Sequence, residues 1–287
     1  MLYQSADEWL AAPRKAVALI GMSGVGKTRI SALMREFGAW FHYSVDYRIG
    51  TRYLDEEIRD AFKREAMKNP YLRDLLLSDS IYIGSNLSFH NLTPLSTWLG
   101  KPGDPAKGGI AFAEYLDRQR KHREAEIASM LDVRHFIARA QDLYQYDHFI
   151  CDTSGSLCEV VTPEDPADPV LSALSRNMLP VYIRGGEAHE EELIARFDHA
   201  PKPMYYQEAF LESVWADYLA TSGASPEAAD PDDFIRHGFA RLIAHRRPRY
   251  QAIADNWGVA VEADDVAAIQ TGDAFIELVA RALAGRA

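Results

Sequence analysis

A short glycine-rich segment constrains this chain more than any other feature of its sequence. The apolar run Lys15–Ile20 leads directly into Gly21-Met22-Ser23-Gly24-Val25-Gly26-Lys27-Thr28, and Thr28–Phe37 then repeats apolar residues at helical spacing. A buried strand, a tight loop and an amphipathic helix are therefore expected in that order. Glycines let such a loop turn so that successive backbone N–H groups point inward. They form a cradle for phosphate oxygens at the positive end of the helix.

The residue types of this loop suit a nucleoside triphosphate and its metal ion. We predict that the whole segment Gly21–Thr28 contacts the phosphates, that Lys27 reaches the β- and γ-phosphates, and that Thr28 binds Mg²⁺. A second metal ligand is expected at Asp152, because Phe149-Ile150-Cys151-Asp152 is an apolar strand ending in an acid. Asp152-Thr153-Ser154-Gly155 also spells the D-x-x-G of GTPases, but no guanine-reading Asn/Thr-Lys-x-Asp motif follows. The sequence therefore predicts ATP with Mg²⁺.

Apolar runs alternate with helical patterns along most of the chain. Five runs are typical of buried strands, namely Lys15–Ile20, Trp40–Val45, Tyr146–Asp152, Leu179–Ile183 and Val259–Glu262. The helical patterns cover Thr28–Phe37, Thr51–Lys68, Ile110–Tyr144, Val170–Met178, Glu187–Phe197, Met204–Ala220, Phe234–Asn256 and Asp273–Ala284. Pro248 is a candidate kink in the seventh of these. This alternation predicts an α/β P-loop NTPase fold with a five-stranded parallel sheet flanked by helices.

The stretch between the second and third strands is long and indicates an insertion. We assign residues 1–63 and 146–287 to the core and residues 64–145 to a mainly helical insertion that caps the acceptor site. Asn69-Pro70 is expected to break a helix, and Ser78–Gly109 is rich in turn-forming residues. The charged residues within 110–145 have two explanations, a solvated helix face or a surface for a protein partner.

The overall charge and composition narrow the class of partner. With 42 acidic against 31 basic residues the net charge is −11, which disfavours nucleic acid because that affinity comes largely from Lys and Arg. The two cysteines, Cys151 and Cys158, exclude a disulfide framework and match no common zinc signature. Neither a membrane-spanning run nor a targeting peptide is recognisable. We expect a reduced, cytoplasmic protein with no nucleic-acid or membrane partner.

Four segments together resemble the shikimate kinase-like group of small-molecule kinases, within the nucleoside monophosphate kinase fold. They are Gly21–Thr28, Val45–Gly50 (Val-Asp-Tyr-Arg-Ile-Gly), Thr153–Ser156 and Arg246–Asp255, which begins Arg-Arg-Pro-Arg-Tyr. The third segment stands where the family has Thr-Gly-Gly-Gly, so two pocket glycines are serines here. Lys202 begins a Lys-Pro-Met-Tyr segment that stands where the family has Arg-Pro-Leu-Leu, so it replaces a lid arginine.

The resemblance implies roles for several residues outside the loop. Asp46 would position and partly deprotonate an acceptor hydroxyl, although a strand-end Asp that caps the next helix explains it equally well. Gly155 would line the acceptor pocket, and Arg246 would bind an acceptor carboxylate. Arg196 and Lys202 would lie in a lid and neutralise charge on the transferred phosphoryl group.

Together these features predict a kinase that moves the γ-phosphoryl group of ATP to a small, anionic acceptor. Lys27, Asp46, Arg196 and Lys202 are the predicted catalytic residues. Arg48, which follows Asp46 closely, either clamps the acidic substrate or forms a surface salt bridge. The alternative is a P-loop ATPase that acts as a nucleotide-switched regulatory protein, with residues 110–145 as its partner surface.

Overall fold

A central parallel sheet organises the chain, whose computed structural model describes residues 1–286. The strands are β1 Ala16–Ile20, β2 Trp40–Ser44, β3 His148–Asp152, β4 Leu179–Arg184 and β5 Val259–Glu262, in the order β2-β3-β1-β4-β5. Every residue of β1 is buried, because helices cover both faces of the sheet and neighbouring strands cover both edges of β1. The predicted α/β class, with five parallel strands flanked by helices, is confirmed.

The helices alternate with these strands in chain order. The first eight are α1 Ala6–Ala11, α2 Lys27–Glu36, α3 Val45–Arg48, α4 Asp55–Met67, α5 Pro70–Leu77, α6 Thr93–Leu99, α7 Phe112–Leu131 and α8 Val133–Asp142. The others are α9 Leu157–Val160, α10 Pro169–Asn177, α11 Glu187–His199, α12 Glu208–Ser222, α13 Pro231–Trp257, α14 Ala263–Ala268 and α15 Gly272–Ala284. A π-helical turn, Ile49–Tyr53, joins α3 to α4, and a 3-10 turn covers Pro105–Lys107. Within residues 1–286, no helix is both long enough and apolar enough to cross a bilayer.

The strand register brings three loops to one edge of the sheet. Asp152, the last residue of β3, lies beside Leu19 of β1 and Ser44 of β2. The loops that follow these three parallel strands therefore begin side by side, although they are far apart in sequence. In doubly wound α/β folds, ligands bind at this carboxyl edge.

Several helices differ from the sequence prediction. The predicted break at Asn69-Pro70 is confirmed, because α4 ends at Met67. An unpredicted helix, α5, begins directly afterwards, and Asn69 caps its start by accepting hydrogen bonds from the N–H groups of Tyr71 and Leu72 at 3.0 and 3.3 Å. Proline suits the first turn of a helix because that turn's N–H groups have no intrahelical partner. Helix α13 continues through Pro248, which was the candidate kink.

Six short helices, α1, α3, α5, α6, α9 and α14, were not predicted, and two of them show how tertiary packing stabilises such helices. Helix α1 buries Trp9, whose indole nitrogen donates a 2.8 Å hydrogen bond to the carbonyl of Ile276 in α15. Helix α6 lies inside the turn-rich region and buries Leu95, Trp98 and Leu99. Helices of two turns are marginal alone, so packing decides whether they form.

Helix α7 corrects the interpretation of the charged segment. Asp117, Arg123 and Glu124 are exposed, as a solvated face requires, but His122 and Glu126 are buried. The helix packs against α3, α9 and α10, so one of its faces belongs to the interior of the molecule. Solvation accounts for only part of the charge in this helix.

Candidate functional site

The glycine-rich loop between β1 and α2 has the backbone that its composition predicts. Gly21, Gly24 and Gly26 have φ values of 140°, 92° and 96°, a region that other residues rarely adopt. Space is also limited, since a Cβ at Gly21 would lie 2.9 Å from the carbonyl oxygen of Ile183. Helix α2 begins at Lys27, directly after Gly26. Its N-terminal N–H groups and the positive end of its dipole therefore lie at the end of the loop.

Lys27 folds back over this loop. Its ammonium group donates hydrogen bonds to the carbonyl oxygens of Gly21 and Met22 at 2.8 and 3.0 Å, and its side chain is almost fully buried. Burial lowers the pKa of Lys27, while the carboxylates of Asp152 and Asp46 act in the opposite direction. The cation is thus held inside the loop, close enough to two acids for their charges to act on its pKa.

Thr28 and Asp152 meet across the sheet edge. The Thr28 hydroxyl donates a 2.6 Å hydrogen bond to Oδ2 of Asp152, and Nε2 of His42 lies 3.9 Å from the same oxygen. Among residues 1–286 no group of three or more His, Cys, Asp and Glu side chains forms a metal cage. Mg²⁺ seldom needs one, because it usually takes one or two protein ligands and completes its shell with water and phosphate oxygens.

Asp46 lies in the first turn of α3, and its charge interacts with that of Lys27. The side chain that caps α3 belongs to Ser44, whose hydroxyl accepts from the N–H of Tyr47 at 3.4 Å, so Asp46 is not the capping residue. Burial and the charge of Asp152 raise the pKa of Asp46 to about 6, against the opposing effect of Lys27. A carboxyl group with this pKa exchanges a proton close to neutral pH, as a general base must.

A cleft of about 650 Å³ opens beside the loop. It is lined by Asp46, Gly155, Arg196, Lys202 and Arg246, all predicted site residues, together with Ser23 and Gly24. Its apolar wall comprises Phe89, Leu92, Leu95, Leu99, Leu193, Phe197, Met204, Tyr205 and Phe239. Four of these, Phe89, Leu92, Leu95 and Leu99, belong to the predicted insertion of residues 64–145.

Gly155 is the point where the loop after β3 touches the glycine-rich loop. A Cβ at this position would overlap the hydroxyl of Ser23 and lie 2.9 Å from the backbone nitrogen of Ser23. The backbones can approach this closely only because Gly155 has no side chain.

Arg246 reaches the cleft, but its guanidinium is engaged within the chain. Nε donates to Oε1 of Glu159 at 2.9 Å, Nη1 to the carbonyl of Gly155 at 2.8 Å, and Nη2 to the carbonyl of Tyr205 at 2.6 Å. Burial alone would lower the pKa of Arg246, yet the Glu159 carboxylate holds it above its ordinary value. Binding an acceptor carboxylate, the predicted role, would compete with these bonds.

Arg48 does not take the predicted substrate position. Its guanidinium forms an ion pair with Asp132 at 2.7 Å and lies over the rings of Phe136 and Tyr53. Of the two explanations given for this arginine, the structure favours the salt bridge. The partner, Asp132, lies at the junction of α7 and α8, which sequence spacing alone does not associate with Arg48.

Arg196 and Lys202 lie at the exposed rim of the cleft. The Arg196 side chain is 57% exposed and lies 3.6 Å from the carboxylate of Glu192 in the same helix, α11. Leu193 of that helix packs directly over Gly24, so α11 crosses the glycine-rich loop. The charge-neutralising role of these two side chains stays a prediction.

Sequence reasoning missed a buried cluster beneath the cleft. Glu126 is fully buried and accepts hydrogen bonds from the hydroxyls of Ser154 and Ser156, the second at 2.7 Å. Burial raises the pKa of Glu126 to about 7, against the effect of the two serines. One signal was available. Glu126 belongs to the buried face Tyr115, Gln119, His122, Glu126 and Ser129, whose spacing of three and four residues is that of one helix face.

Known proteins provide little guidance on identity. No protein-family model and no curated protein matches the chain. Among solved structures, the chain is similar to a 1.7 Å crystal structure of shikimate kinase from Bacteroides thetaiotaomicron, with 14% identity and a TM-score of 0.40 over 93% of this chain and 95% of that one. Similarity at this level identifies neither a family nor a substrate, so the functional argument comes from the residues of the cleft.

Proposed function

We propose that the chain is an ATP-dependent phosphotransferase that moves the γ-phosphoryl group to a hydroxyl of a small acceptor. The observation that carries this proposal is the meeting of Lys27, Asp46 and the Thr28–Asp152 pair at one sheet edge, beside an open cleft. Phosphoryl transfer needs a phosphate cradle, a metal site and a base near the attacking hydroxyl. The cleft supplies the room for an acceptor next to all three.

The residues at this edge fit ATP and Mg²⁺. The N–H groups of Gly21–Thr28 and the start of α2 would receive the phosphates, and the hydroxyl of Thr28 with the carboxylate of Asp152 would hold the ion. When bound, Mg²⁺ neutralises charge on the phosphate oxygens. The Thr28–Asp152 hydrogen bond keeps both oxygen ligands within 2.6 Å of each other, so the site needs little rearrangement.

The chain's own residues would perform the remaining work. Asp46 would orient the acceptor hydroxyl and accept its proton, for which its carboxylate must be ionised. Lys27 would exchange its bonds to Gly21 and Met22 for bonds to phosphate oxygens. Arg196 and Lys202 would approach the transferred group as α11 closes over the loop.

The predicted insertion would shape the acceptor site. Residues 89–99 already contribute to one wall of the cleft, in line with the proposed cap formed by residues 64–145. The expected negative charge of the acceptor depended on Arg48 and Arg246 as carboxylate ligands. Both guanidinium groups are paired with acids of the chain, which weakens that part of the expectation.

A screen of small hydroxylated acids, sugars and nucleosides for stimulated ADP release tests the proposal. A kinase forms ADP quickly only with its acceptor, whereas a nucleotide-switched ATPase hydrolyses ATP slowly alone and responds to a protein partner. The variant D46N should retain ATP binding and lose acceptor-dependent turnover. Slow ADP release that no small molecule accelerates, in the wild type and D46N alike, would replace the kinase proposal with the ATPase alternative.

A further inference from the structure

The floor of the cleft carries a hydrogen-bonding group that the proposed phosphoryl transfer does not use. Ser156 and His122 both line the cleft, and Ser156 links its surface to the buried carboxylate of Glu126 by a 2.7 Å hydrogen bond. Ser154 donates to the other carboxylate oxygen, so the two hydroxyls hold Glu126 in one orientation. The carboxylate is thereby coupled to the cleft through a single side chain.

His122 adds a second unused group to this floor. Its Nδ1 lies 3.7 Å from Oε2 of Glu126 and makes no hydrogen bond among the described residues, while its ring stacks on Tyr205 at 5.0 Å. Burial, followed by the charge of Arg246, lowers the pKa of His122 to about 4, so the imidazole is neutral at physiological pH. A neutral imidazole accepts one hydrogen bond and donates one.

Of the three cations of the cleft, one is neutralised, one lies on the phosphate side, and the third, Lys202, is exposed at the rim. Within residues 1–286, the Lys and Arg side chains that line the cleft are those of Arg196, Lys202 and Arg246. Arg246 is paired with Glu159 at 2.9 Å. Arg196 has Nη2 3.7 Å from the position that a Cβ would occupy on Gly24, and therefore belongs to the phosphate side of the cleft.

We infer that the acceptor is an uncharged or cationic polyhydroxy compound, which presents hydroxyl or ammonium hydrogen-bond donors to the Glu126–Ser156–His122 floor and carries no carboxylate there. This inference rests on the proposed kinase function and narrows its substrate class. Asp46 and Glu126 supply two acids at the acceptor end. Removing an acceptor carboxylate from water beside them would be strongly unfavourable, because Arg246, the buried cation of the cleft, is already paired with Glu159.

The proton affinities of these two acids agree with this conclusion. Burial raises the pKa of both groups, to about 6 for Asp46 and about 7 for Glu126. The charge of Asp152 adds to the shift of Asp46, and the charge of Asp46 adds to the shift of Glu126. A site that already resists two negative charges would resist a third more strongly. Donor groups of a neutral or cationic acceptor would instead lower the cost of ionising these acids.

Matched pairs of compounds test the inference. Hydroxy acids such as gluconate and glycerate are compared with their primary amides, which keep the hydroxyls and the shape but remove the charge. ADP release is measured at pH 8, where Asp46 and Glu126 are ionised. Binding is measured separately, as thermal stabilisation with the β,γ-imido analogue of ATP present. We expect kcat/KM for an amide to exceed that of its acid by about tenfold or more, as like-charge repulsion predicts.

Two variants examine Glu126 and Ser156 directly. E126Q keeps the size of the side chain and removes its charge. The ratio of kcat/KM for an acid to kcat/KM for its amide should therefore move towards one. Lost packing alone would lower both values and leave their ratio unchanged. S156A keeps the carboxylate and removes the hydroxyl that faces the cleft, so kcat/KM for the amide should fall about two- to tenfold. E124Q, an exposed glutamate of the same helix, should change neither value.

The outcomes separate the two proposals. Acids that equal or exceed their amides in turnover and in binding would overturn the inference and leave the kinase proposal intact. An E126Q variant that folds and keeps the wild-type acid-to-amide ratio would also overturn it. If neither compounds of these series nor the wider screen stimulate ADP release or stabilise the protein, the kinase proposal fails and this inference fails with it.

Discussion

The hydroxyl of Thr28 donates a 2.6 Å hydrogen bond to Oδ2 of Asp152, although 124 residues separate them in the chain. The bond ties the first turn of α2 to the end of β3. Both groups carry oxygen atoms of the kind that Mg²⁺ prefers as ligands, and they are adjacent in the structure. The pair is therefore the most direct place to test the proposed metal site.

Replacing Asp152 by Asn should weaken the dependence of ATP turnover on Mg²⁺. The amide keeps the shape and can still accept from Thr28, but it removes the charge that attracts the cation. We expect kcat to fall about 10- to 100-fold and the Mg²⁺ concentration for half-maximal rate to rise. T28S, which keeps the hydroxyl, is the matched control and should stay within a few-fold of wild type. Unchanged Mg²⁺ titration in D152N would remove Asp152 from the metal site.

Replacing Lys27 by Ala should abolish the stabilisation of the protein by ATP. Ligand present at a hundred times its dissociation constant stabilises a folded protein by about 2.7 kcal/mol, and this gain requires the phosphate contacts of Lys27. The melting temperature with and without ATP measures the effect. K15A removes a lysine that directly precedes β1 and bonds to the carbonyls of Leu10 and Ala12, so it should leave the ATP-induced shift intact. An undiminished shift in K27A would contradict the proposed nucleotide site.

Glu126 should make the stability of the protein fall as pH rises. Burial raises its pKa from 4.5 to about 7, so the folded chain keeps a proton that the unfolded chain releases within this window. The contribution of Glu126 to the free energy of unfolding is therefore fully present below about pH 4.5. It is lost as the pH rises through 7, and the loss is on the order of 3 kcal/mol.

The pH dependence of E126Q measures that loss. Urea unfolding between pH 5 and pH 8 should show a shallower decline in E126Q than in wild type, because glutamine does not titrate. The exposed variant E124Q should follow the wild-type curve. Parallel curves for wild type and E126Q would mean that Glu126 ionises as easily in the folded chain as in the unfolded one.

Replacing Arg246 by Ala should destabilise the fold rather than only weaken acceptor binding. Glu159 would remain fully buried without its cationic partner, a change that typically costs about 3–5 kcal/mol. Truncating the exposed Arg196 to Ala should alter stability by less than about 0.5 kcal/mol. If R246A kept wild-type stability and lost only acceptor affinity, the carboxylate-binding role predicted from sequence would be favoured instead.

Adding a methyl group at Gly155 should displace Ser23, which belongs to the adjacent glycine-rich loop. The new Cβ would press on Ser23, and such overpacking typically costs about 1–3 kcal/mol. We expect G155A to raise KM for ATP because Ser23 belongs to the phosphate loop. Gly186, which precedes α11 and has open space around it, provides the matched control, and G186A should bind ATP normally. Equal KM values for both variants would show that the loop moves freely away from Gly155.

Local sequence determined the strands of the sheet, the glycine-rich loop and the helix that follows it, because each of these depends on residues that are neighbours in the chain. The apolar run before Gly21 predicts β1, the glycines predict a tight loop, and the helical spacing after Lys27 predicts α2; β1, a loop with three positive-φ glycines and α2 are present. The five strands were predictable for the same reason, since a strand buried on both faces must be a continuous apolar run. Their bounds differ from the predicted ones by at most two residues.

Tertiary structure alone decided which distant side chains are free to act. In the sequence, Arg246 and Arg48 are both candidate substrate ligands. In the structure, Arg246 forms an ion pair with Glu159 and Arg48 forms one with Asp132, and both acids come from distant elements. Glu126 is one charge among many in α7 until the loop after β3 places two serines against it. Charged side chains have long reach and strong pairing energies, so their roles depend on partners that the fold brings together and that local sequence does not reveal.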